Sequence, residues 1–213
     1  MADLAQDIIG HARAMSGAGL GVGTSGNVSA RVDGGFLITP SGVAYEDLVP
    51  DRLVTVAMDG NFEGQWVPSS EWRFHRDIYA QRPDAGAVVH CHSAHATALA
   101  CLGEGLPAFH YMVAIAGGDD IRCADYATFG SQALSDAVLA GLGGRQACLM
   151  ANHGHVALGR NVAQAFALAR EVEALCHQYL LARQAGEPVL LSADEMKVVL
   201  EKFKSYGKQP EQD

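Results

Sequence analysis

Ala85-Gly86-Ala87-Val88-Val89-His90-Cys91-His92 is the stretch on which the fold turns. It is short, apolar and β-branched at Val88 and Val89, so it reads as a buried strand. Helical signals flank it. Pro68-Ser69-Ser70 precedes a helical pattern from about Glu71 to Gln81, and Ser93 can cap a helix running to about Leu102. Upstream, Val28 to Arg31 and Phe36 to Thr39 read as a hairpin turning at Asp33-Gly34-Gly35, and Leu53 to Ala57 as a further strand. Downstream, Ala147 to Ala151 and Val156 to Leu158 read as strands. Ala2 to Ser16, Ala133 to Leu142 and Ala163 to Ala185 read as helices, and Ser192 with Glu195 forms a capping box for a last one to about Lys204. No G-x-G-x-x-G opens a βαβ unit. The expectation is one α/β domain, a mixed central β-sheet sandwiched between α-helices, over residues 1–207, with a polar tail over 208–213.

The chain has 213 residues, a formal charge of −9 and 18% charged residues. At roughly 150 residues per domain this favours a single domain with a sizeable core. No basic stripe is present, which argues against nucleic acid as a partner. The five cysteines are odd in number and form no C-x-x-C, the pattern of reduced thiols in a cytoplasmic protein. The first residues lack a basic and apolar leader, and no run approaches the ~18 apolar residues of a membrane span.

Two sets of residues carry chemistry. His90 and His92 lie two apart on a strand and so share a face, while Cys91 points away. A third imidazole, His153 in Asn152-His153-Gly154, follows another buried strand. Three neutral imidazoles suit Zn²⁺, with Co²⁺ or Mn²⁺ as alternatives, and leave the cation strongly Lewis acidic. Glu71, at a helix start, supplies a fourth ligand or a base. His11, His75, His95, His110, His155 and His177 read as ordinary structural histidines by comparison. The second set is an anion cradle. Gly23-Thr24-Ser25-Gly26-Asn27 and Thr39-Pro40-Ser41-Gly42 offer amides and hydroxyls, and Ser69-Ser70 adds hydroxyls at a helix N-terminus, where the helix dipole favours an anion.

Gly-Thr-Ser-Gly-Asn-Val-Ser, Ile-Thr-Pro-Ser-Gly, Pro-Ser-Ser-Glu-Trp-Arg-Phe-His, Val-Val-His-Cys-His and Asn-His-Gly occur in an order that resembles the class II aldolase/adducin family. The likeness runs from the first helix to Gly207. It implies a zinc ion held by His90, His92 and His153, with Glu71 as ligand and catalytic acid/base. It implies a phosphate held by Thr24, Asn27, Ser41, Gly42, Ser69 and Ser70. It also implies a homotetramer with sites at subunit interfaces: Tyr111 reaches a neighbour's site to handle the aldehyde oxygen, and Phe129, Phe203 and Tyr206 supply the wall of that pocket from the neighbouring copy. The implied reaction is reversible cleavage of a ketose 1-phosphate, such as L-fuculose 1-phosphate, to dihydroxyacetone phosphate and an aldehyde such as L-lactaldehyde. No lysine sits in these motifs, which argues against Schiff-base chemistry. Other enzymes of the scaffold are the rivals: a decarboxylase of a phosphorylated oxo sugar acid, a pentulose-5-phosphate 4-epimerase or a deoxypentulose-1-phosphate aldolase. A non-catalytic adducin-like module is a remote one. One departure stands out. His155 occupies a position that is usually aliphatic near this pattern, two residues from His153, where its ring could tune the metal shell or the aldehyde pocket.

Overall fold

A computed structural model describes residues 2–205. Tyr206 and the tail over 208–213 lie outside the described residues. The chain begins with α1 (Ala2–Gly17) and continues through β1 (Asn27–Val32), β2 (Gly35–Ile38), β3 (Val54–Ala57), α2 (Trp72–Gln81), β4 (Ala87–Cys91) and α3 (Ala94–Cys101). Then come β5 (Cys123–Ala124), α4 (Gln132–Leu142), β6 (Ala147–Met150), β7 (Gly154–Gly159), α5 (Val162–Ala185) and α6 (Ala193–Phe203). Three 3₁₀ segments, Tyr45–Asp47, Pro50–Arg52 and Tyr111–Ala116, link them.

The seven strands form one sheet in the order β3-β2-β1-β4-β7-β6-β5. Neighbours run antiparallel except β5 and β6, so the sheet is mixed, as expected. Val88 and Val89 on β4 are both fully buried, one on each face. Each contributes about 1.5–3 kcal/mol by leaving water. On one face α1, α3 and α5 cover Ala87, Val89, Cys91 and Ala157. On the other, Phe74, Ile78 and Tyr79 of α2 and Leu134, Val138 and Leu142 of α4 cover Val88, Val156 and Leu158. The sheet is therefore the middle layer of three.

Local chemistry explains the starts of α4, α5 and α6. Ser131, Asn161 and Ser192 accept hydrogen bonds from the amides of Leu134, Gln164 and Glu195 at 3.1, 2.9 and 3.1 Å. Ser93 is different. It holds the N-cap position of α3 without capping it, and its hydroxyl sits 3.3 Å from His155 Nδ1. The Glu173 carboxylate of α5 caps α3 instead, accepting from the His95 and Ala96 amides at 3.0 and 2.9 Å. Two-residue β5 and the 3₁₀ segments carry no periodic signal, and sequence reasoning passes over them.

Antiparallel pairing decides where the site forms. Asn27 at the start of β1 lies opposite His90 near the end of β4, and Cys91 lies opposite His155 near the start of β7. Ile38 at the end of β2 lies opposite Ser29. The start of β1, the ends of β2 and β4 and the start of β7 thus share one end of the sheet. No described helix is long and apolar enough to cross a membrane.

Candidate active site

His90 projects from β4 toward α2 and α4, since Val88 two residues earlier packs there. Its ring lies edge-on to Phe74 at 5.5 Å and is fully buried. His92 follows just past the strand on the same side. His153 sits in the turn before β7, after Asn152, whose φ of 55° is left-handed. Gly154 permits the close approach: a Cβ there would stand 2.4 Å from the Cys91 carbonyl oxygen and 2.9 Å from His92 Cδ2. Glu71 is the N-cap residue of α2 rather than its first helical residue, which leaves its carboxylate at the helix mouth.

These four side chains converge. Glu71 Oε2 is 3.1 Å from His90 Nε2, Glu71 Oε1 is 3.1 Å from His153 Nε2, and the Nε2 atoms of His90 and His92 are 3.0 Å apart. One ligand atom from each of the four falls within 4.8 Å of the others. His90 Nδ1 donates to the His155 carbonyl oxygen at 2.9 Å, because that oxygen can only accept. A neutral His90 then turns a lone pair, not a proton, toward the Glu71 carboxylate. Glu71 Oε1 is buried without a hydrogen-bond partner despite its nearness to His153. Converging acceptors around an orphaned carboxylate oxygen fit a divalent cation, and three imidazoles with a carboxylate are a donor set for one.

The electrostatics are those of a coupled cluster. Burial alone would raise the Glu71 pKa, but His90 and His153 outweigh it and hold the carboxyl well below its usual range. Burial works against charge on His90, and Glu71 more than offsets it. His92 is pushed down to about 3 by burial and by His90 and His153. Its neutral ring is the form a metal takes.

A cavity of about 340 Å³ opens over this cluster. Glu71, His92 and His153 form one wall, and Thr24, Asn27, Ser41, Gly42, Ser69 and Ser70 line it as well. Among the described residues no lysine or arginine lines it, so an anion there would rest on neutral donors and the mouth of α2. The loop reaches so close because Gly26, at φ 87°, lies against β4: a Cβ would be 2.5 Å from the His90 carbonyl oxygen. Tyr45 donates from its hydroxyl to the Ser25 carbonyl oxygen at 3.1 Å and holds the loop from behind. Ser69 Oγ accepts from Asn27 Nδ2 at 2.9 Å and from the Glu71 amide at 3.4 Å, which leaves its proton for an anion. Asn27 differs from the expected phosphate ligand. Its side-chain amide is committed inside the protein, to Ser69 and to Glu71 Oε2 at 3.0 Å.

Other expected residues divide. Phe129, expected on a neighbouring copy's site, lines this chain's own cavity, and this is a correction. The segment before α4 folds back there: Gly130 packs against Ser70, and its carbonyl accepts from Arg73 Nη1 at 2.8 Å. Tyr126 and Ala127 line the cavity too, brought there by the loop's return, as does Asn152 from the turn beside His153. Tyr111 and Phe203 lie apart, in a second groove with Phe109 and Leu191. His155 takes the structural role expected of it rather than tuning the metal shell or the aldehyde pocket. Its ring faces α5 rather than the metal wall, with Nε2 donating to the Ala169 carbonyl oxygen at 3.2 Å and standing 3.2 Å from Cys91 Sγ. Strand alternation places it so, opposite Cys91, and only its backbone carbonyl serves the cluster.

Comparison with known proteins places the chain in a family. The family described as Class II Aldolase and Adducin N-terminal domain matches residues 6–180. A 5-methylthioribulose-1-phosphate/5-deoxyribulose-1-phosphate aldolase of Rhodospirillum rubrum is 54% identical over 204 residues, 96% of this chain and 92% of that protein. An L-fuculose phosphate aldolase of Escherichia coli K12 is 48% identical over 205 residues, 96% of this chain and 95% of its own length. A solved L-fuculose 1-phosphate aldolase superposes with a TM-score of 0.92 at 40% identity, covering 96% of this chain and 97% of that one. The chain belongs to the class II aldolase and adducin family and, within it, to the aldolases.

Proposed function

We propose that this lyase reversibly cleaves a ketose 1-phosphate into dihydroxyacetone phosphate and a short aldehyde, with one Zn²⁺ per subunit held by Glu71, His90, His92 and His153. The observation that carries the reading is the shared cavity: an imidazole–carboxylate cluster on one wall and a lysine- and arginine-free set of amides and hydroxyls beside it. Bound there, the ion supplies a Lewis acid for the ketone oxygen and an anchor for the negative charge left on the triose fragment. Thr24, Ser41, Gly42, Ser69 and Ser70 hold the phosphate and fix the sugar's register. Glu71 moves the proton at the carbon next to the carbonyl. Ala127 and Phe129 add apolar surface to the same cavity, suited to the aldehyde part of the sugar.

Tyr111 of a neighbouring copy handles the aldehyde oxygen in a homotetramer. Its 48% exposure and its distance in the fold from this chain's own cluster support that placement. Two substrates lead: L-fuculose 1-phosphate, and a 5-deoxypentulose 1-phosphate, which the 54% identical relative's name favours. The test is a parallel assay of the zinc-loaded protein on both ketose phosphates and on phosphorylated oxo sugar acids. Triose phosphate is the expected product. Carbon dioxide or an epimer without triose phosphate would overturn the proposal.

A further inference from the structure

Behind Glu71 a file of polar side chains crosses the buried layer between the sheet and α2. Asn27 Nδ2 reaches Glu71 Oε2 at 3.0 Å, and Asn27 Oδ1 meets His75 Nε2 at 2.5 Å. His75 Nδ1 meets Ser29 Oγ at 2.7 Å, and Ser29 Oγ meets the Tyr79 hydroxyl at 2.7 Å. Asn27, Ser29 and His75 are at most 1% exposed and Tyr79 is 2% exposed. Beyond Asn27, which also donates to Ser69, the file runs away from the cavity: His75, Ser29 and Tyr79 do not line it.

Two periodicities build the file. Glu71, His75 and Tyr79 are four residues apart on α2 and form one stripe facing the sheet. Asn27 and Ser29 are two apart on β1 and face α2 together. The rows interleave, so each helix group finds its partner on the strand.

The direction of every bond follows from its end. An ionised carboxylate only accepts, so Asn27 must present its NH₂ to Glu71 and its oxygen to His75. That oxygen also only accepts, so His75 donates from Nε2. Burial pushes His75 down to about 3, and its neutral ring then has a lone pair on Nδ1. Ser29 must donate to that lone pair, and Tyr79 must donate to Ser29. All four protons point toward Glu71, an arrangement in which each bond polarises the next.

We infer that His75, Ser29 and Tyr79 are positioning residues that lock Asn27, and through it Glu71, in one rotamer. Oε2 is tied to the protein, while Oε1 is left as the oxygen free to meet the metal and the substrate proton. This rests on the metal and acid/base roles proposed above for Glu71. A packing-only role would need shape at position 75; the positioning role needs a donor there.

The test compares His75→Leu and His75→Gln with the wild-type protein. Zinc affinity is read by competition with a chromophoric chelator, and kcat and KM are read with the ketose 1-phosphate. In His75→Leu, zinc binding is expected to weaken by about 10-fold or more and kcat to fall by a similar factor, the usual effect of losing such a partner, with KM little changed. His75→Gln keeps an N–H for Asn27 and is expected to recover most of both. If His75→Leu does not fold, Ser29→Ala serves, since it frees the far edge of the His75 ring by removing its partner on Nδ1, and Tyr79→Phe alongside it removes the hydroxyl that would lose its acceptor. Wild-type zinc affinity and kcat in the folded donor-less variant, or no rescue by Gln, would overturn the positioning role alone. A wild-type protein that binds no divalent ion would overturn the metal site and this inference with it.

Discussion

Gly154→Ala probes the metal wall without replacing a ligand. The added Cβ would stand 2.4 Å from the Cys91 carbonyl oxygen, while ordinary contact begins at 3.4 Å. The second close atom, His92 Cδ2 at 2.9 Å, belongs to a ring that can turn. The carbonyl is backbone and cannot. The start of β7 must therefore retreat from the end of β4 by about 1 Å, and His153, the adjoining residue, moves with it. Metal–ligand distances tolerate about 0.2 Å, so zinc affinity is expected to fall by at least about 10-fold. A 1 Å displacement at a reacting centre costs about 100-fold in rate, which sets the expected loss in triose phosphate release. Strain from overpacking costs about 1–3 kcal/mol, and a chain of this size loses roughly 2–4 °C of Tm per kcal/mol. The assays are chelator competition, a coupled triose phosphate assay and a thermal melt. Gly10→Ala is the control: it lies in α1 with nothing within 4 Å of the new Cβ, and a helix interior gains about 0.5–1 kcal/mol from the change. Wild-type zinc affinity in Gly154→Ala would refute the reasoning, because the ligands could not then depend on the approach of these strand ends.

Three further outcomes are expected. Glu71→Gln keeps three imidazoles and should still load with zinc, at an affinity weakened by about 10-fold or more, while proton exchange at dihydroxyacetone phosphate in the zinc-loaded protein should fall by about 10²–10⁴-fold; unchanged exchange would remove Glu71 as the base. Tyr111→Phe should slow steps on the aldehyde side while leaving that exchange and the Tm near wild type; equal loss of both would make Tyr111 structural. His155 sits at about 4, below its ordinary 6.5, because of burial and then His90. The unfolded chain takes that proton first as the pH falls, so the stability is complete above pH 6.5 and drains away toward pH 4, amounting to about 2 kcal/mol by pH 5. Urea unfolding at pH 7 and pH 5 should show that much less acid sensitivity in His155→Leu, and an unchanged pH difference would exclude His155 as its source.

The sequence shows most clearly what one element can specify alone. His90 and His92 share a face by strand alternation, Glu71 falls at a helix mouth, and the glycine- and serine-rich loops read as turns with free amides. The resemblance to a known family adds His153 and the order of the motifs. What depends on pairing is hidden. Asn27 reads as one donor among several in a loop, yet the register that sets it opposite His90 turns its amide toward Glu71. Phe129 depends on where a loop returns, and the contact of Gly130 with Ser70 decides that. Ser93 carries every local sign of a cap, but a carboxylate from α5, 77 residues from Ala96, takes the helix start from it. His155 looked close to His153 because two residues separate them. The turn at Asn152 comes before the strand, so alternation from Gly154 onward sends the His155 ring to the opposite face.

Antiparallel pairing gives the site its economy. Antiparallel neighbours bring the starts of β1 and β7 and the ends of β2 and β4 to one end of the sheet, although long stretches of chain separate β1 from β4 and β4 from β7. The groups that must be rigid are on or next to those strands: His90 within β4, His92 one residue past its end, His153 one residue before β7 and Asn27 at the head of β1. Ligands on strands hold position better than ligands on loops. The groups that meet a phosphate sit further out, on the Thr24 and Ser41 turns, where a hydroxyl or an amide can shift slightly without moving the cluster. Alternation then separates two duties at one place. On β4, His90 turns to the cluster beneath the cavity while Cys91, beside it in sequence, is buried on the opposite face with His155, so the wall behind the ligands is packed as core. A substitution on that hidden face acts on the cluster only through backbone position, and Gly154 marks the point where backbone position is tightest.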